Sequence, residues 1–236
     1  MTFFCKSWEQ DISHANLAGI IFCHITLFIY PVPQIFSLST PNEILLFSSA
    51  AGVLFMLFAL GSIRFLAPQC QLDKVLGIAV CSRKSLKDVL ICTPLLLFAI
   101  GAVTWHWKYT LEKLDIPFEH TQQLLEYADL SHPLTLILLI IMAVGIIPPV
   151  EEILFRRVIF GQLAKLSNFN IAGFITAGLF SAAHSFAAGI PGLFIMGLTL
   201  QWMYSKNRNL ADCIILHALF NAISIGCAVI SKTVQC

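Results

Sequence analysis

Ionisable and amide side chains recur in three short groups in the C-terminal half of the chain, each set in an apolar run. The first is Glu151-Glu152-Ile153-Leu154-Phe155-Arg156-Arg157, preceded by ILLIIMAVGIIPPV. The second is Phe180-Ser181-Ala182-Ala183-His184, and the third is His217-Ala218-Leu219-Phe220-Asn221. An ionised group at the centre of a membrane helix costs about 2.5–3.5 kcal/mol on the insertion scale, so each is a functional candidate by default. On a helix starting at Pro149, Glu152 and Arg156 are i,i+4 neighbours in the favourable acid-before-base order and can neutralise each other. Glu151 is turned about 100° from Glu152 on such a helix. That asymmetry marks Glu152 as the structural partner and Glu151 as the free carboxylate facing a cavity. His217 and Asn221, four residues apart, project from one helical face.

These residue types suit hydrolysis. A carboxylate and an imidazole can hold and deprotonate water. A second imidazole and an amide can donate hydrogen bonds to the oxyanion that forms at a scissile carbonyl. Bland roles compete: acids in a first turn complement the helix dipole, and a membrane histidine often bonds a neighbouring helix. Zinc is the rival chemistry, with Glu151, His184 and His217 as ligands and water in the fourth place, although HExxH is absent. No serine stands in a recognisable nucleophile setting, and Cys213 beside Asp212 is poorly placed to form a thiolate.

EEILFR at 151–156, FSAAH at 180–184 and HALFN at 217–221 fit the patterns EExxxR, FxxxH and HxxxN. In this order they resemble the CAAX protease and bacteriocin-processing family of intramembrane peptidases, also called CPBP or Abi. The resemblance covers about 145–225. It implies an all-helical membrane fold with Glu151 as general base beside His184, and His217 with Asn221 as oxyanion stabilisers. Glu152, Arg156 and Phe180 would support them. The family is described both as metalloproteases and as metal-independent glutamate peptidases; the second reading is favoured, with no cofactor. One departure is Arg157, where the family usually has glycine, a cation that could snorkel to the interface or narrow access to the cavity.

The elements that must position these groups follow from composition. Of 236 residues, 58% are hydrophobic and only 11% charged, against about 45–50% and 25% in soluble domains. This is a polytopic all-α membrane bundle, read as one integral domain over 1–236 with a catalytic helical core at 134–230. A hydrocarbon core of about 30 Å needs roughly 20 residues of helix. About seven spans result: 17–38, 44–66, 88–107, 134–147 running into 149–165, 169–188, 190–205 and 210–230. The fourth is expected to be broken at Pro148-Pro149, because proline removes a helix hydrogen bond. The stretch 108–133, rich in Glu and Asp, is read as an interfacial connector. No cleavage site follows the first apolar run, so it is read as an uncleaved span.

Lys and Arg at 64–88, at Lys165 and at 206–209 fall on one side of an alternating chain, giving a cytoplasmic N-terminus in the plasma (inner) membrane. The eight cysteines form no CxxC pair and indicate neither disulfide framework nor zinc cluster. A net charge of +1 gives no field for nucleic acid. The expected partners are the bilayer and a membrane-associated or lipidated protein or peptide. The rival classes are a non-catalytic membrane adaptor and a proton-relaying transporter, the latter disfavoured by the lack of internal repeats.

Overall fold

In the computed structural model the residues described are 78–118, 132–184 and 187–234. All their regular structure is helical. The expected spans at 17–38 and 44–66 lie outside the described residues, as do 119–131 of the acidic stretch.

Helix α1 (Arg83–Lys113) starts where the Ser82 hydroxyl accepts the Ser85 N–H at 3.0 Å. Its 31 residues rise about 46 Å at 1.5 Å each, so both ends outrun the hydrocarbon core. Arg83, Lys84 and Lys87 mark one end. At the other, Trp105 stacks on Tyr109 (6.3 Å between centroids) and the Lys113 ammonium lies over the Tyr109 ring. Basic and aromatic belts of this kind sit at the two faces of a bilayer. Between them Leu90, Ile91, Leu95 and Phe98 are exposed, as lipid permits. Residues 108–113, assigned from sequence to the connector, instead continue α1.

Pro133–Leu166 is one uninterrupted helical run of 34 residues. It comprises α2 (Pro133–Ile140), a π turn (Ile141–Ile146), α3 (Ile147–Glu152), a second π segment (Ile153–Ile159) and α4 (Phe160–Leu166). The interruption expected at Pro148-Pro149 is therefore present as a change of helical register and not as a gap. A proline ring crowds the carbonyl four residues before it. Widening the turn relieves that crowding: Ile147 donates to Met142 O, five residues back.

Helix α5 (Phe169–Ala182) is capped by Asn168, whose side-chain oxygen accepts the Ile171 N–H at 2.9 Å. A 3-10 turn (Ala187–Gly189) leads into α6 (Ile190–Asn207), and α7 (Leu210–Val234) follows. α5 and α6 meet backbone to backbone: a Cβ on Gly197 would lie 3.0 Å from Ala177 Cα. Small residues allow such contact between membrane helices. Further along α5 the buried Ser181 hydroxyl donates to the Ile190 carbonyl at the start of α6 (2.6 Å), while Ala182 and Ala183 are exposed.

Three of the described helices are long and apolar enough to cross a membrane: Arg83–Lys113, Pro133–Leu166 and Leu210–Ser231. Phe169–Ala183 is apolar but shorter. The core shared by these helices and α6 includes Phe160, Phe180, Met196, Leu200, Met203 and Leu216. The basic connections gather at one end. Lys206 Nζ donates to Asp88 Oδ2 at 2.7 Å, and the Arg208 guanidinium covers Phe169 beside the Lys165–Asn168 turn. At the opposite end Gly192 lies against Ile100 and Thr104 of α1.

A polar latch closes the basic end. Buried Asp212, in the first turn of α7, accepts from Asn207 Nδ2 (2.9 Å), Asn209 Nδ2 (3.2 Å) and the Cys81 thiol (2.6 Å). Asn209 Oδ1 in turn accepts the Ala79 N–H at 2.9 Å. Burial, and then the hydrogen bond to Asp212, push the Cys81 thiol above its ordinary pKa. Since the thiolate is the nucleophile, Asp212→Asn is expected to speed iodoacetamide labelling of Cys81 at pH 8 several-fold. Peptide mass spectrometry reads the rate, and an unchanged rate would show that the carboxylate does not govern the thiol.

Candidate active site

The two glutamates of α3 face different surroundings. Glu152 is fully buried and its Oε2 lies 3.0 Å from Arg156 Nε, also fully buried. Its Oε1 accepts the Nδ1–H of His217 at 3.0 Å. One carboxylate thus neutralises a cation on its own run and grips α7. The Arg156 guanidinium lies 5.0 Å from the Phe180 ring centroid, a contact that strengthens where water is excluded. Arg157 is buried too, so it does not snorkel to an exposed rim.

Glu151 is the more open acid, its side chain 22% exposed. Its Oε1 lies 3.7 Å from His184 Nε2, and its Oε2 lies 3.8 Å from His217 Nε2. Neither separation is a hydrogen bond. Each ring is fixed from its far side. His184 Nδ1 faces the Phe180 carbonyl at 2.8 Å, and His217 Nδ1 faces the Glu152 carboxylate. Both partners are pure acceptors, so both Nδ1 atoms carry hydrogen. In neutral imidazole that leaves a lone pair on Nε2, turned toward a carboxylate that is itself an acceptor. The three groups are held together and kept a water's reach apart.

Phe180 organises these rings from below. Fully buried, it lies 4.7 Å from the His184 ring, 5.9 Å from His217 and 5.1 Å from Phe155. The sequence-chosen set is therefore gathered at one place: Glu151, Glu152, Arg156, Phe180, His184 and His217. Asn221 stands one turn beyond His217, but its Nδ2 donates to the main-chain oxygen of Ala143 at 2.7 Å. Sequence reasoning did not find Ala143 or the Phe180 carbonyl, since a main-chain acceptor is not marked by its own residue type.

One carboxylate and two imidazoles are donor types that suit zinc, and each imidazole has the outer partner that zinc ligands usually have. Among the described residues, however, no three His, Cys, Asp or Glu groups converge closely enough to hold a metal ion.

Comparison with known proteins agrees with the motif resemblance. Residues 133–223 match the family described as type II CAAX prenyl endopeptidase Rce1-like. The match opens at the first residue of α2 and closes just past Asn221. Similar relatives include YdiL of Bacillus subtilis, named as a membrane peptidase, 30% identical over 107 residues that cover 45% of this chain and 42% of YdiL. The membrane-embedded CAAX protease MroQ of Staphylococcus aureus is 35% identical over 84 residues, 33% of this chain and 34% of MroQ. The UPF0177 protein YxdF of Lactococcus lactis is 35% identical over 79 residues, 33% of this chain and 43% of YxdF. The matches span less than half the length of each relative. No solved structure matches the chain.

Proposed function

We propose that the chain is an intramembrane endopeptidase that hydrolyses a membrane-associated or lipidated protein or peptide with water activated by Glu151 and His184. The observation that carries this reading is the Glu151 carboxylate held 3.7 Å from His184 Nε2 and 3.8 Å from His217 Nε2. A water between Glu151 Oε1 and His184 Nε2 gives one hydrogen to each acceptor and presents its lone pair outward. Attack on the scissile carbonyl passes a water proton to Glu151. The oxyanion is met by His217 Nε2–H and by the Asn221 N–H not given to Ala143. Glu151 then returns the proton to the leaving amine, and the bond breaks.

His217 must carry both ring protons to donate from Nε2, because its Nδ1–H is committed to Glu152. The resulting cation faces two carboxylates. Glu151, Glu152, Arg156 and His217 then form a quartet of zero net charge, which is how buried charge is tolerated. A bound metal would supply Lewis-acid activation instead, and the basic end of the bundle is assigned to the cytoplasm by the positive-inside rule.

The test is terminal-peptide labelling of membrane proteins from cells carrying the chain or its His184→Ala variant. New termini are expected with the unaltered chain and at least about 10²-fold fewer with the variant, the usual worth of a positioned acid–base group. Identical termini in both would favour a non-catalytic membrane adaptor. Cleavage by purified protein should survive a chelator; loss of cleavage together with stoichiometric zinc would replace this mechanism by a zinc one.

A further inference from the structure

Asn221 serves a single main-chain carbonyl, that of Ala143. In an α-helix Ala143 O would accept the N–H of residue 147, and in a π turn that of residue 148. Ile147 donates instead to Met142 O, and residue 148 is proline, which has no N–H to give. The Ala143 carbonyl is therefore left without a main-chain donor, inside a membrane helix, where an unpaired carbonyl is costly. Asn221 Nδ2 reaches it from α7 at 2.7 Å across 78 residues of sequence. One turn away on the same face, His217 holds Glu152. α7 thus grips the proline-containing run at two points, and Glu151 lies between them.

We infer that Asn221 is a positioning residue: by donating to the Ala143 carbonyl that Pro148 orphans, it fixes the change from π to α register and with it the rotational setting of Glu151 between the two imidazoles. A role confined to the oxyanion would need no bond to Ala143. The inference deepens the Glu151-centred reading of the site, yet its test needs no cleavage and so stands or falls separately.

The test uses the full chain in detergent micelles. Amide hydrogen exchange over residues 144–152 is expected to quicken at least tenfold in Asn221→Ala and equally in Asn221→Asp, which keeps the size and loses the donor. Labelling of Glu151 by dicyclohexylcarbodiimide, with Glu151→Gln as the blank, is expected to change several-fold in both variants at temperatures where both remain folded. A merely stabilising asparagine would leave that rate alone. Pro148→Ala supplies an N–H five residues after Ala143, so in that background Asn221→Ala should alter exchange far less. Unchanged exchange and unchanged labelling in the single variants overturn the inference, whether or not the Pro148→Ala protein folds. An equal effect of Asn221→Ala in both backgrounds overturns it as well.

Discussion

Glu151→Gln is expected to lower kcat by about 10²–10⁴-fold, the range supplied by a general base, while the protein folds as before. Glutamine keeps the shape of the side chain and removes its ability to take a proton. Folding should tolerate the change because Glu151 makes no direct hydrogen bond, is partly open and is replaced by a side chain of the same size. The measurement is the cleavage rate of a substrate found by terminal labelling, beside thermal unfolding of both proteins. A folded Glu151→Gln chain that cleaves at the full rate would sink the peptidase reading. Glu152→Gln is the contrasting variant: it spares the proposed base but strands the buried Arg156 cation, so its loss is expected first in stability.

The largest effect on stability is expected at Arg156. Arg156→Met leaves the Glu152 carboxylate buried beside an apolar side chain, and breaking one half of a buried pair costs about 3–5 kcal/mol. Pairing the change with Glu152→Gln removes the stranded charge and keeps an acceptor for His217 Nδ1–H. The double variant should therefore recover more than half of the loss, since an apolar or neutral replacement of a whole buried pair is often nearly neutral. Chemical denaturation in mixed micelles measures all three variants. Strict additivity of the two single changes would show that the pair is not coupled, against the 3.0 Å contact.

The helical class and the membrane setting were legible in composition because lipid admits so few charges. The Glu152–Arg156 contact was legible because helix geometry brings positions four apart together, and it survives although Arg156 lies in a π segment. The convergence of the three groups was legible through the motif resemblance and not through helix geometry. Counted along straight helices, His184 falls about 22 Å from the start of α5 and His217 about 10 Å from the start of α7, depths that do not agree. The discrepancy narrows because His184 folds back one turn onto the Phe180 carbonyl, so its ring lies nearer the basic end than its Cα. Pattern reading also treated Pro148-Pro149 as a break, because it weighs the missing N–H and not the wider turn that can absorb it. The bond from Asn221 to Ala143 had one visible trace: a proline five residues after the acceptor.

The grip of Glu152 on both Arg156 and His217 bears on how such a chain can change over generations. Losing any one of the three strands a charge, a donor or an acceptor at the buried Glu152 carboxylate. A lineage leaving this arrangement must then cross a poorly folding intermediate or alter two distant codons almost at once. Residues joined in that way are inherited as a block, and the fixed interval inside EExxxR can be maintained by folding alone, even in a descendant that has given up catalysis.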